Sequence, residues 1–217
     1  MKISGAIFDI DGTVTNSLWV WTTVTPIYLW LNGRKPEKGL YQTLKTMNAA
    51  QIGDYLKENY FANSKRTGSR IILHLGLMAV PFYIFVVPLK PGARELLEEL
   101  DRQGVKMVIL TANDRILVRS ALIRLRCNKY FDIILGGSDY DNAKDNPKSF
   151  ENACKVLGTP KEETVVFEDS LYAVRTAKSA GFPVIAMKDD NEPDPETLKQ
   201  LADIYTDDFK KILDQLH

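Results

Sequence analysis

Between about residues 91 and 188 the apolar and polar positions along the chain switch repeatedly between two periods. PGARELLEELDRQG, DRILVRSALIRLRC, PKSFENACKVLG and LYAVRTAKSAG carry apolar residues at three- and four-residue spacing, which predicts helices. Between them stand the short apolar runs VKMVILT, FDIILGG, ETVVFEDS and FPVIAMK, which predict strands. KISGAIFD adds a strand at the N-terminus, and its near-continuous apolar run is that of a central strand buried on both faces. Regular alternation of strand and helix with short connections implies an α/β doubly wound parallel sheet.

Residues 15–88 break this rhythm. LWVWTTVTPIYLWLNG, GLYQTLKTM, AAQIGDYLKENYF and SRIILHLGLMAV read as helices, and no repeat relates them. The expected division is a core domain of residues 1–14 and 89–217 and a helical cap domain of residues 15–88 inserted after the first strand. Open parallel sheets bind ligands at the carboxyl ends of their strands, so such an insert covers the site. One part of it, IILHLGLMAVPFYIFVVPL at residues 71–89, has no Asp, Glu, Lys or Arg over nearly the length of a membrane span. Pro81, Pro88, the polar His74 and the charged RELLEELDRQG that follows argue against a span. The expectation is a buried helix ended by Pro81, then a strand through FYIFVV that returns the chain to the core beside a hinge.

Composition narrows the function classes. A chain of 217 residues, 45% hydrophobic and 26% charged, can bury one good core with a smaller satellite. Its 28 basic and 28 acidic residues cancel, so no general nucleic-acid or acidic-lipid surface is expected and any phosphate chemistry is local. Cys127 and Cys154 are too few for a disulfide scaffold or a thiolate metal site, and both fall in segments read as helices. MKISGAIFDIDG meets acid too soon for a signal peptide, which makes a cytoplasmic, membrane-free monomer the expected state.

With the strands placed, polar residues gather at their carboxyl ends: Asp9 and Asp11 after the first, Thr111 and Asn113 after the second, Glu168 and Asp169 after a later one, with Lys144 in the loop after FDIILGG. Asp9 and Asp11 stand two apart, so an extended backbone puts them on one side, roughly 6 to 7 Å apart. Carboxylates with no His or Cys beside them favour a hard cation, Mg²⁺.

DIDGT, LTAND, the loop lysine of KDNPKSF and VFEDS together resemble the four motifs of the haloacid dehalogenase superfamily, in its branch of helical-capped phosphatases and β-phosphoglucomutases. The resemblance implies that Asp9 is the nucleophile forming an aspartyl phosphate, and that Asp11 is the general acid and base whose backbone carbonyl also ligates Mg²⁺. It further implies that Thr111 and Lys144 hold the phosphoryl group, with Gly12, Ala112 and Asn113 around it. Asp9 and Asp169 become side-chain metal ligands, with Glu168 bound directly or through water. Asp11 itself argues for phosphoryl transfer over dehalogenation. The mutases place a His four residues beyond the position of Ser17, where this chain has Trp21, and a basic residue in a cap loop where it has Asn48, Ala49 and Ala50. A phosphatase acting on a small phosphorylated metabolite is therefore expected, with a phosphosugar mutase as the alternative. A receiver-like phosphoacceptor or binding protein is a third reading, disfavoured by the chain's length and its insert. Trp19, Trp21, Tyr28 and Trp30 are expected to offer an apolar substrate wall, and Lys35, Lys38 and Lys45 to be surface charges.

Overall fold

The computed structural model describes residues 2–45, 47, 49–131, 133–136 and 144–216. Among them six strands, β1 (Gly5–Phe8), β2 (Lys106–Thr111), β3 (Ile133–Gly136), β4 (Thr164–Glu168), β5 (Val184–Met187) and β6 (Ile204–Thr206), form one sheet. Their order is β3-β2-β1-β4-β5-β6, and every pairing is parallel. β1 lies between β2 and β4, where the winding reverses direction. In such sheets that reversal opens a crevice at the carboxyl ends.

The sheet buries both faces because its central strands are apolar between their ends, at residues 6–8, 107–110 and 165–167. Ala6 and Phe8 point to one layer and Ile7 to the other, as the two-residue period demands. On the first face Phe8 stacks on Phe167 with centroids 4.3 Å apart, beneath α5 (Ala93–Arg102) and α6 (Arg115–Arg124). On the second, α7 (Pro147–Leu157) and α8 (Leu171–Ser179) cover Val108 and Val166 with Phe150 and Val174. Burying side chains of this size contributes on the order of 1.5–3 kcal/mol each before conformational entropy is subtracted.

Four helices between β1 and α5 form a separate apolar cluster: α1 (Leu18–Leu31), α2 (Leu40–Leu44), α3 (Ala49–Tyr60) and α4 (Gly68–Phe85). Leu117 and Ala121 of α6 join that cluster, so the helices rest on the sheet domain through α6. The two connections run side by side, with Asn16 N–H donating to Pro88 O at 2.9 Å and Lys90 N–H to Val14 O at 2.9 Å.

α4 departs from the expectation. It continues through Pro81 to Phe85, and no strand forms over FYIFVV; only Leu89 makes an isolated bridge, to Thr15. A proline deprives the carbonyl four residues back of its partner, but Leu77 and Pro81 both lie on the solvent side, where water can satisfy that carbonyl. α4 is also not a buried helix. Ile71, Leu75, Ala79 and Tyr83 form one buried stripe, whereas Leu73, Leu77 and Phe85 are exposed. By length and composition alone it could cross a membrane, and 28% of it is buried. Beyond residue 188, α9 (Pro195–Leu201) and the three-residue β6 add an edge that the hydrophobic pattern does not announce. Cys154 lies in α7, but Cys127 follows the end of α6; both are buried free thiols.

Candidate active site

The residue that follows β1, Asp9, is the one delivered into the crevice. Asp9 N–H donates to Phe167 O at 2.9 Å, which extends the parallel ladder one residue beyond the strand. The chain then turns sharply. Gly12 has φ +96°, a left-handed conformation that disfavours any side chain, and a Cβ there would lie 2.4 Å from Asp169 Oδ2. Thr15 Oγ1 donates to Ile10 O at 3.0 Å and Gly12 N–H to Thr15 O at 2.8 Å, closing the turn. Because the backbone curls here, Asp9 and Asp11 do not share one side of a strand as the spacing suggested. Their carboxylates meet different partners.

Asp9 faces Lys144, Glu168 and Asp169. Lys144 Nζ, buried, donates to Asp9 Oδ1 and, at 2.6 Å, to Glu168 Oε1. Glu168 Oε2 accepts from the N–H groups of Asp169 and Ser170 at 2.7 and 2.9 Å and from Ser170 Oγ at 3.0 Å. Burial works against its charge, but Lys144 and those donors outweigh it and hold the carboxyl below its ordinary range. Asp9 goes the other way. Burial, reinforced by Glu168 and Asp11, outweighs Lys144 and pushes it up to about 7. Asp169 is raised well above the ordinary range by burial and then by Glu168 and Asp9.

Three buried carboxylates thus stand together with one ammonium that bonds two of them, Asp9 and Glu168, an arrangement deficient in positive charge. Ligand oxygens of Asp9, Glu168 and Asp169 lie within 4.8 Å of one another, and Asp9 Oδ2 is buried with no hydrogen-bond partner among the described residues. An all-oxygen donor set with an orphaned carboxylate oxygen fits a hard divalent cation. Asp11 contributes no side chain to that group, so a cation held between the Asp9 and Asp11 carboxylates is not the arrangement found.

Asp11 instead sits among donors. Tyr83 Oη–H donates to its Oδ1 at 2.5 Å, Ser17 Oγ–H reaches the same oxygen, and Asn113 Nδ2–H donates to Oδ2 at 2.7 Å. Asn113 does not cap α6. Asp114 does, accepting from Ile116 N–H at 2.7 Å. Thr111, buried at the end of β2, accepts from Asn113 N–H at 3.1 Å, which leaves its hydroxyl proton available to another acceptor. Ala112 is exposed on the same loop.

The helices α1, α2 and α4 bring further groups to this end of the sheet. Trp21 Nε1–H donates to Tyr83 Oη at 3.1 Å. The four aromatic residues of α1 do not make one wall, because 3.6 residues per turn puts Trp19 and Trp30 on the face opposite Trp21 and Tyr28. Trp30 is 79% exposed, Trp19 packs edge-on against Phe82, and Tyr28 packs beside Phe61 in the helical cluster. Lys45 is not a surface charge. Its ammonium, with only 9% of the side chain exposed, pairs with Asp189 at 2.8 Å and Glu192 at 3.2 Å, joining the end of α2 to the loop after β5. Burial opposes its charge, but Asp169, Asp189 and Glu192 prevail and raise it. Asn48 and residues 137–143, which precede Lys144, lie outside the described residues.

Sequence reasoning missed Tyr83 and Lys45. Tyr83 had a readable signal: extending the stripe of Ile71, Leu75 and Ala79 by one more four-residue step puts it on the buried side. Lys45 had none, since its partners lie more than 140 residues away.

A family model described as a haloacid dehalogenase-like hydrolase matches residues 3–181. A phosphoglycolate phosphatase of Pseudomonas fluorescens is 32% identical over 188 residues, 83% of this chain and 68% of that protein. The pyrophosphatase PpaX of Halalkalibacterium halodurans is 26% identical over 83% of this chain and 81% of that protein. Among solved structures, CbbY from Rhodobacter sphaeroides in complex with phosphate superposes with a TM-score of 0.82 at 22% identity, covering 97% of this chain and 96% of that one. At that identity the likeness speaks for the fold alone.

Proposed function

The chain belongs to the haloacid dehalogenase-like hydrolases and is a phosphatase; from that premise we propose that it hydrolyses a small phosphorylated metabolite in two steps through an aspartyl phosphate on Asp9, with Mg²⁺. The observation that carries this reading is the pairing of Lys144 with both Asp9 and Glu168, beside an unpartnered buried oxygen of Asp9. Asp9, Asp169 and the Asp11 carbonyl would hold the cation, with Glu168 at or behind it. When bound, Mg²⁺ neutralises charge on the cluster and on the phosphoryl oxygens.

Asp9 attacks phosphorus as a carboxylate, and Lys144 screens the approach of one anion to another. Thr111 offers its free proton to a phosphoryl oxygen, and the exposed loop at Ala112 leaves room for the group. Asp11 protonates the departing oxygen, then takes a proton from the water that releases phosphate from Asp9. Residues 15–88 act as a cap domain on the core of residues 1–14 and 89–217. The paired connections at residues 14–16 and 88–90 are its hinge, and Lys45 with Asp189 and Glu192 is a contact made across the closed mouth. Trp21 stands where a mutase would need its histidine, and its ring nitrogen is already engaged by Tyr83. The protein works as a cytoplasmic monomer with no nucleic-acid or membrane partner.

The test is phosphate release, with Mg²⁺ or with chelator, across a panel of phosphoglycolate, pyrophosphate, sugar phosphates and nucleotides. Turnover of at least one compound, lost in Asp9→Asn, is expected. Conversion of β-glucose 1-phosphate to its isomer without phosphate release would instead establish the mutase.

A further inference from the structure

We infer that Tyr83, oriented by Trp21 and Asn113, is a positioning residue that occupies one oxygen of Asp11 and so confines the mobile proton of the acid to the other. The inference rests on the phosphatase reading above and adds to it which atom carries the proton and what holds it there.

The argument is a count of donors and lone pairs. Trp21 Nε1–H can only donate, and it donates to Tyr83 Oη at 3.1 Å. The amide of Asn113 is fixed in orientation because its Oδ1 accepts from Asp114 N–H at 2.7 Å, so its Nδ2 is the atom facing Tyr83 and Asp11. One Nδ2 proton goes to Tyr83 Oη at 2.8 Å and the other to Asp11 Oδ2 at 2.7 Å. Both lone pairs of the phenol oxygen are then taken. Its single proton points to Asp11 Oδ1 at 2.5 Å, with the Ser17 hydroxyl, which also donates to that oxygen, beside it.

The same count applied to Asp11 separates its two oxygens. Oδ1 receives Tyr83 and Ser17, which fills both of its lone-pair directions. Oδ2 receives Asn113 alone, which leaves one direction open. In the first step the proton on Oδ2 moves to the leaving oxygen as the phosphorus–oxygen bond to it breaks and the bond from Asp9 forms. In the second, water attacks phosphorus, its proton goes to Oδ2, the bond to Asp9 breaks, and phosphate leaves with Asp9 a carboxylate again. Tyr83 keeps its own proton throughout.

Tyr83 is also held from behind. Arg124 of α6 donates through Nε to Tyr83 O at 3.3 Å and through Nη2 to Val87 O, fastening the last turn of α4 to the sheet domain.

The test compares Tyr83→Phe with the parent on two esters in Mg²⁺: an alkyl phosphate, whose leaving oxygen needs the proton, and p-nitrophenyl phosphate, whose phenolate leaves without it. We expect kcat/KM, which reports only the steps up to departure of the leaving group, to fall tenfold or more on the alkyl ester and less than threefold on the aryl ester; the second step is common to both esters and does not enter this ratio. In an Asp11→Asn background the same substitution should add no further asymmetry. An equal fall on both esters, no fall on either, or an asymmetry that persists without the Asp11 carboxylate would overturn the inference. If Tyr83→Phe loses its near-ultraviolet circular dichroism, Trp21→Phe replaces it; a smaller asymmetry of the same sign is expected, and none would overturn the proposal. If the parent hydrolyses neither ester nor any member of the substrate panel, the phosphatase reading fails and this inference with it.

Discussion

Divalent cation should stabilise the fold in a way that grows with pH, and the acid cluster sets the size of the effect. Without a cation, burial with Glu168 and Asp11 nearby raises Asp9 from 3.8 to about 7 despite Lys144. A group whose folded value is raised contributes its full stability below its unfolded value, here about pH 4. It loses that stability as pH climbs through about 7. The size of the shift corresponds to a loss of about 4 kcal/mol at neutral pH. Asp169 is shifted in the same direction and Glu168 in the opposite one. Mg²⁺ at 100 times its Kd returns about 2.7 kcal/mol by mass action. For a chain of this length that is a rise in Tm of about 5 to 10 °C. Below pH 6 the cation has to displace a proton from Asp9, so its apparent affinity and the rise in Tm should shrink together. The assay is thermal unfolding in chelator and in Mg²⁺ at matched ionic strength from pH 5 to 8. A shift in Tm that is the same at pH 5.5 and pH 7.5, or that survives Asp169→Asn, would refute the assignment of the cation to this cluster.

Other outcomes follow from single contacts. Asp9→Asn should abolish phosphate release while leaving the far-ultraviolet circular dichroism of the parent, whereas Asp11→Asn should slow alkyl phosphate turnover by about 10²-fold. Retained turnover in Asp9→Asn would remove the nucleophile. Gly12→Ala places a methyl group against Asp169 at a backbone angle that alanine resists, so calorimetry should record weaker Mg²⁺ binding together with a lower Tm. Lys45→Met leaves Asp189 and Glu192 buried without their cation, and urea unfolding should show a loss of about 3 kcal/mol. An unchanged urea midpoint would mean that the contact between α2 and the sheet domain carries no energy. Ca²⁺ should bind but support little turnover, because its looser coordination disturbs the in-line geometry; kcat equal to that in Mg²⁺ would contradict this.

Much of this protein was determined locally, and those parts were legible in its sequence. The alternation of helix and strand from residue 91 onward needs only the side-chain periods of each element, and the eight segments read between residues 91 and 188 stand where the pattern puts them. Asp9, Thr111, Glu168 and Asp169 could be assigned to one crevice because a parallel sheet aligns the carboxyl ends of its strands. What tertiary structure alone decided are the relations between groups far apart in the chain. The run from Ile71 to Phe85 looked divisible at Pro81, but packing on α3 and α6 keeps it one helix, since a missing hydrogen bond on a solvent-facing side costs little against a buried stripe. Asp9 and Asp11 looked alike from their spacing. A left-handed glycine and the turn it permits send one to Lys144 and the other to Tyr83, 72 residues away. Lys45 had the composition of a surface lysine, and only the approach of α2 to the loop after β5 buried it between two acids. Periodicity fixes which side of an element is apolar, but the partner that a polar side chain meets depends on where other elements are placed, and no local pattern carries that information.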